Sequence, residues 1–89
     1  MKGKSLISLA VLLSWTSPVL AVDLINRDSG GYEVEVTSNN GTIGTSIGAT
    51  SIKRAICSSS CQIEVRGVGI IQASGDDVVV IEGGTLSKQ

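Results

Sequence analysis

Hydrophobic and polar positions alternate with a period of two along several short stretches of the chain, and no stretch keeps helical spacing. Tyr32 to Thr37 shows it best: Tyr32, Val34 and Val36 fall on one face, Glu33, Glu35 and Thr37 on the other. A strand so patterned has one dry face and one wet face. Further strands are predicted at Val22 to Arg27, Thr42 to Ile47, Ile52 to Cys57, Cys61 to Arg66, Val68 to Ala73 and Val78 to Ile81. Turn-forming residues separate them: Asp28-Ser29-Gly30-Gly31, Ser38-Asn39-Asn40-Gly41, Gly48 to Ser51, Ser74-Gly75-Asp76-Asp77 and Gly83-Gly84. The Asn40-Gly41 pair suits a tight hairpin whose central residues take positive φ. Val78-Val79-Val80-Ile81 is apolar on both faces, as in a central strand covered on both sides. Thr85 to Gln89 reads as a tail with Leu86 pinned to the core.

About seven short strands at intervals of roughly ten residues predict an all-β fold, a small antiparallel β-sandwich of Greek-key-like connectivity. Val34, Val36, Ile63, Val65, Val78 and Val80 are its expected core. Ile43, Ile47, Ile52 and Ile56 recur at four or five residues, but the spacing never settles to the single period a solenoid needs.

The first residues follow a different pattern. Lys2 and Lys4 precede an apolar run, Leu6 to Leu13, and Pro18 stands before Val19-Leu20-Ala21. A charged start, a short apolar segment and a small residue at the cut site define a secretory signal peptide, expected at residues 1–21 and cleaved before Val22. The apolar run is far shorter than the roughly 20 residues that cross a bilayer. The expected product is one β-sandwich domain, residues 22–89, in the periplasm of a bacterium or outside the cell, with no stable membrane insertion after signal cleavage.

Composition supports the strands. Beyond Ala21, valine and isoleucine far outnumber leucine and alanine, and β-branched side chains suit the pleated sheet. The same segment keeps five of the seven basic residues against all eight acidic ones, too acidic a balance for a nucleic-acid partner. It holds no His, Met, Trp or Phe, which removes the usual bases, soft metal ligands and sugar-stacking platforms.

Cys57 and Cys61 are the only cysteines. In an exported chain of this size a structural disulfide is the expected state, and closing so short a loop contributes about 2 kcal/mol. If Ser58, Ser59 and Ser60 form a three-residue hairpin loop, Arg54 faces Glu64, but the apolar faces of the two strands then disagree by one residue. A bulge near the cysteines, or assignment of the strands to different sheets, resolves the conflict. Thiol-redox exchange or copper capture by Cys57 and Cys61 is the alternative chemistry, weakened by the lack of a His or Met co-ligand and of a Cys-x-x-Cys motif.

The remaining polar residues support no reaction. Asp28, Asp76 and Asp77 lack the spacing of a calcium loop. Glu33 and Glu35 lie side by side on a wet face rather than in a cleft, and the serines have no base to activate them. Neither a catalytic residue nor a bound cofactor or metal is expected. The expected role is a non-catalytic binding or envelope-interaction module with a protein partner, with a secreted inhibitor or effector as a further alternative. Its candidate contact surfaces are the acidic face with Glu33 and Glu35, the loop Ser58-Ser59-Ser60, and the uncharged strand around Thr45, whose edge could accept another strand.

Overall fold

The computed structural model describes residues 21–89, so the predicted signal peptide lies outside the described residues except for Ala21. Eight strands follow one another: β1 (Val22–Asn26), β2 (Tyr32–Ser38), β3 (Gly41–Ile47), β4 (Ser51–Cys57), β5 (Ser60–Val65), β6 (Gly69–Ser74), β7 (Val78–Glu82) and β8 (Thr85–Lys88). They form two four-stranded sheets, one in the order β4-β1-β7-β8 and the other β3-β2-β5-β6. The all-β sandwich expected from the alternation is therefore the observed fold. After the β2–β3 hairpin the chain passes through β4 in the other sheet and returns as β5 on the free side of β2, a Greek-key-like crossover.

Two details of strand pairing depart from the sequence reading. The C-terminal tail is a strand: β8 pairs antiparallel with β7 through Val79–Lys88, Val80–Ser87, Ile81–Leu86 and Glu82–Thr85, and Leu86 does pack against the core. One pairing is parallel, β1 with β7, because both strands enter their sheet from the same end of the sandwich.

The core forms where the inward positions of the two sheets meet. Val22 and Leu24 from β1, Val34 and Val36 from β2, Ile63 and Val65 from β5, and Val79 and Ile81 from β7 are all buried there. Four of the six expected core residues are thus in place, and the two on β7 are displaced by one position. Val79 and Ile81 point inward, while Val78 is half-buried and Val80 lies on the opposite face beside Ile25. Period-two alternation cannot choose between the faces of a strand that is apolar on both. No third layer covers the far face of β7 among the described residues, yet Val80 is only 3% exposed.

The β2–β3 turn also differs in detail. Ser38 pairs with Gly41, so Asn39 and Asn40 form the loop, and the positive φ falls on Gly41 at 115° rather than on the two central residues. This is the pattern of a bulge-type turn, in which glycine supplies the left-handed step after the loop.

The conflict over the cysteines resolves in both of the ways foreseen. β4 and β5 belong to different sheets, so the segment between the cysteines crosses from one layer to the other. β4 is also bulged, since Val22 pairs with Cys57 but Leu24 pairs with Lys53, leaving Arg54 to Ile56 opposite the single Asp23. Ala55 adopts φ 55° at this bulge, and its N–H donates to the Asp23 carboxylate at 2.8 Å. Cys57 and Cys61 form a disulfide with Cα atoms 6.5 Å apart, a covalent link between the end of one sheet and the start of the other.

Candidate functional site

The outward face of the β3-β2-β5-β6 sheet carries the acidic residues. Glu33 and Glu35 project from β2, and the register sets Glu35 directly across from Glu64 on β5 and from Gly44 on β3. Gly44 has no side chain to fill its position, so a shallow depression of about 400 Å³ opens between the carboxylates, bordered also by Ser46 and Arg66. Like charges directly opposite on a sheet repel. Glu64 was not recognised from sequence as part of this face, because only the pairing of β5 with β2 places it there.

The other candidate residues stand elsewhere. Thr45 pairs with Val34, whose side chain is buried, so Thr45 faces the interlayer side of β3, opposite to Glu33 and Glu35. Ser58 and Ser59 border a second groove, between the β2–β3 hairpin and the end of β4, with Val36 at its floor and Ile43 and Ile56 on its walls. Ser60 opens β5 opposite Ser74. The Ser59 carbonyl accepts the Gly75 N–H at 3.1 Å, which ties the serine loop to the β6–β7 turn. The fold does not gather these residues into one site.

A polar cluster unrecognised in the sequence closes one end of the sandwich. Asn26 is 1% exposed, and its side-chain N–H groups donate to the carbonyls of Gly30 at 2.8 Å and Gly48 at 2.9 Å. Its Oδ1 accepts the Asp28 N–H at 3.0 Å. The Asp28 carboxylate then accepts the Tyr32 hydroxyl at 2.7 Å and the N–H groups of Gly83 and Gly84 at 2.7 and 3.0 Å. The Tyr32 hydroxyl, followed by the two glycine N–H groups, holds the Asp28 carboxyl below its ordinary range. The same hydrogen bond to Asp28, with burial adding to it, raises the Tyr32 phenol.

Asp77 stands at the opposite end of β7, about 17 Å away along the strand. It accepts the Ser74 N–H at 3.0 Å and lies 3.4 Å from Lys88 Nζ. The Ser74 N–H is the main reason its carboxyl is lowered, and Lys88 adds to the effect. Asp28 and Asp77 are thus held apart by separate structural roles, and no group of three or more His, Cys, Asp or Glu converges on a metal position among the described residues.

The four sheet edges differ in chemistry. In the β4-β1-β7-β8 sheet both edge strands carry an inward-facing lysine: Lys53 on β4 pairs with buried Leu24, and Lys88 on β8 pairs with buried Val79. Inward charges on edge strands are a known guard against added strands, because a new strand would bury them. In the other sheet β3 and β6 are the edges, and neither Gly41–Ile47 nor Gly69–Ser74 contains a charge. Ile43 and Ile70, on these two edges, are 68% and 58% exposed, two of the three large apolar side chains left in solvent among the described residues.

Comparison of the chain with protein-family models, curated proteins and solved structures found no match.

Proposed function

We propose that this protein is an exported, non-catalytic binding module of the periplasm or cell exterior, and that it engages a protein partner by adding a strand to an edge of the β3-β2-β5-β6 sheet. The observation that supports this most is the contrast between the sheets: one has a lysine guarding each edge, the other leaves β3 and β6 free of charge. An unguarded edge offers a row of backbone donors and acceptors to an extended chain, and main-chain hydrogen bonds then supply affinity while flanking side chains select the partner. The acidic face is the competing contact surface, through Glu33, Glu35 and Glu64.

A photo-crosslinking residue placed at Thr45 or at Glu35 in cells making the full-length chain separates the two. Edge recognition gives adducts from position 45 that are lost in a Gly44→Lys background and kept when Glu33 and Glu35 are both replaced by lysine. Adducts from position 35 alone, lost on charge reversal, would move the contact to the acidic face. Absence of adducts from both positions would remove support for a binding role.

A further inference from the structure

We propose that the occupant of the β3 edge is the β6 edge of a second copy of this chain, joined head to tail so that copies can add in series; this rests on the edge-recognition reading above.

The sheet's own geometry supports the join. Its four strands alternate in direction throughout, since β2 is antiparallel to β3 and β5, and β5 to β6. An even number of alternating strands means that β6 runs opposite to β3. A second copy in the same orientation therefore presents β6 to β3 as an antiparallel partner. The hydrogen-bonding phase also returns after an even number of strands, because the residues that bond to one side of a strand alternate with those that bond to the other. The outward-pointing backbone groups of β3 and β6 thus match without a shift.

Side chains agree with this register. One row across the sheet runs Ile43, Val36, Ile63, Ile71 on the inward face, and the adjacent row runs Gly44, Glu35, Glu64, Ile70 on the outward face. Continuing the rows into the next copy sets its Ile71 beside Ile43 and its Ile70 beside Gly44. Exposed Ile43 gains an apolar neighbour, and exposed Ile70 lies over Gly44, where an added Cβ would meet only open space. A two-fold pairing of β3 with itself about Gly44 would instead put Ile43 beside Thr45 and leave Ile70 in water. The head-to-tail join uses at once two of the three exposed large apolar residues among those described.

The other sheet limits the contact. At the junction Lys53 of one copy approaches the next copy's Lys88, which is already paired with Asp77 at 3.4 Å. Those edges carry charge that resists burial, so the join is made by one sheet and stays small. Small interfaces give weak association, and a heterologous one that does not close grows into open chains.

The test uses sedimentation velocity on oxidised protein up to about 1 mM, where even a weak complex is populated. Wild type is expected to show a mass that rises with concentration past the dimer. Thr45→Lys, which copies the inward lysine of β4, blocks β3; Ile70→Lys, opposite Glu64, blocks β6. Each variant alone is expected to remain monomeric, while an equimolar mixture forms dimers and nothing larger, since one free β3 edge meets one free β6 edge. Gly44→Lys replaces Thr45→Lys if circular dichroism shows that the latter unfolds. A wild type that stays monomeric at the highest concentration overturns the proposal, as does Ile70→Lys assembling like wild type, which would indicate β3 pairing with itself. A monomeric wild type that still yields position-45 adducts to a different protein would refute the second copy while leaving edge recognition standing.

Discussion

Asn26 continues the inward series of Val22 and Leu24 on β1, yet it is a polar residue with nowhere to send its side chain except into the core. The fold satisfies it completely: two carbonyls and one N–H from three different loop positions converge on its amide. Asn26→Ala would leave the Gly30 and Gly48 carbonyls and the Asp28 N–H without these partners. Buried groups so orphaned cost about 2–3 kcal/mol together, enough to lower the thermal midpoint of a domain this small by roughly 10–20 °C. A midpoint within a few degrees of wild type, measured by circular dichroism, would show that water replaces the amide. The position was visible in sequence as a polar residue on an apolar alternation, but its partners lie up to 22 residues away and depend on how the loops meet.

Among the elements, β4 departs furthest from regular form, with Arg54 to Ile56 opposite a single residue of β1 just before the disulfide. The Arg54–Ile56 bulge lets the adjacent residues Ile56 and Cys57 both pack against the core, and the Asp23 carboxylate caps the extra backbone by accepting the Ala55 N–H. The cysteines then join layers that backbone hydrogen bonds do not connect at this point. Replacing both by alanine is expected to cost about 2 kcal/mol from loop entropy, a fall of roughly 8–16 °C in midpoint. Reducing agent should have the same effect on wild type and none on the double variant. If reduction left the wild-type midpoint unchanged, the link would be dispensable to the sandwich. The bulge was foreseen as one of two ways to reconcile the apolar faces of β4 and β5. The sequence could not select between them, and both are present, because a strand that ends one sheet must turn its last residues toward the next.

At the scale of the whole molecule, two carboxylates and one phenol at opposite ends of β7 contribute to the pH dependence of the fold. Asp28 and Asp77 both titrate below their ordinary value of 3.8 when folded. Their stabilising contribution is therefore complete above that value and is lost as pH falls through the lowered folded values. Tyr32 titrates above its ordinary 10.0, so its contribution is complete below that value and is lost as pH rises through the raised one. For these groups the expected profile is a plateau between about pH 4 and pH 10 that falls on both sides. Tyr32→Phe removes the main hydrogen bond that lowers Asp28, so it should weaken the acid-side fall and abolish the alkaline one. A profile of thermal midpoint against pH that keeps its full alkaline fall in Tyr32→Phe would contradict the pairing.

The period-two pattern and the excess of valine and isoleucine were enough to determine the fold class, most strand positions and the core residues of β2 and β5, because on those strands only one face is apolar. They could not orient β7, where every position can be buried, nor reveal β8, whose single apolar anchor, Leu86, signals a strand only once Ile81 stands beside it. The acidic face was half legible: Glu33 and Glu35 share a strand, whereas Glu64 joins them through pairing between residues far apart in the chain. Thr42 to Ile47 could be recognised as uncharged, but its being an edge, the matching uncharged edge of β6, and the lysines that guard the opposite sheet all follow from strand order. Local alternation acts within a few residues and is written along the chain. Strand order is decided by which long-range pairings together bury the most apolar surface, and only the folded molecule brings those segments side by side.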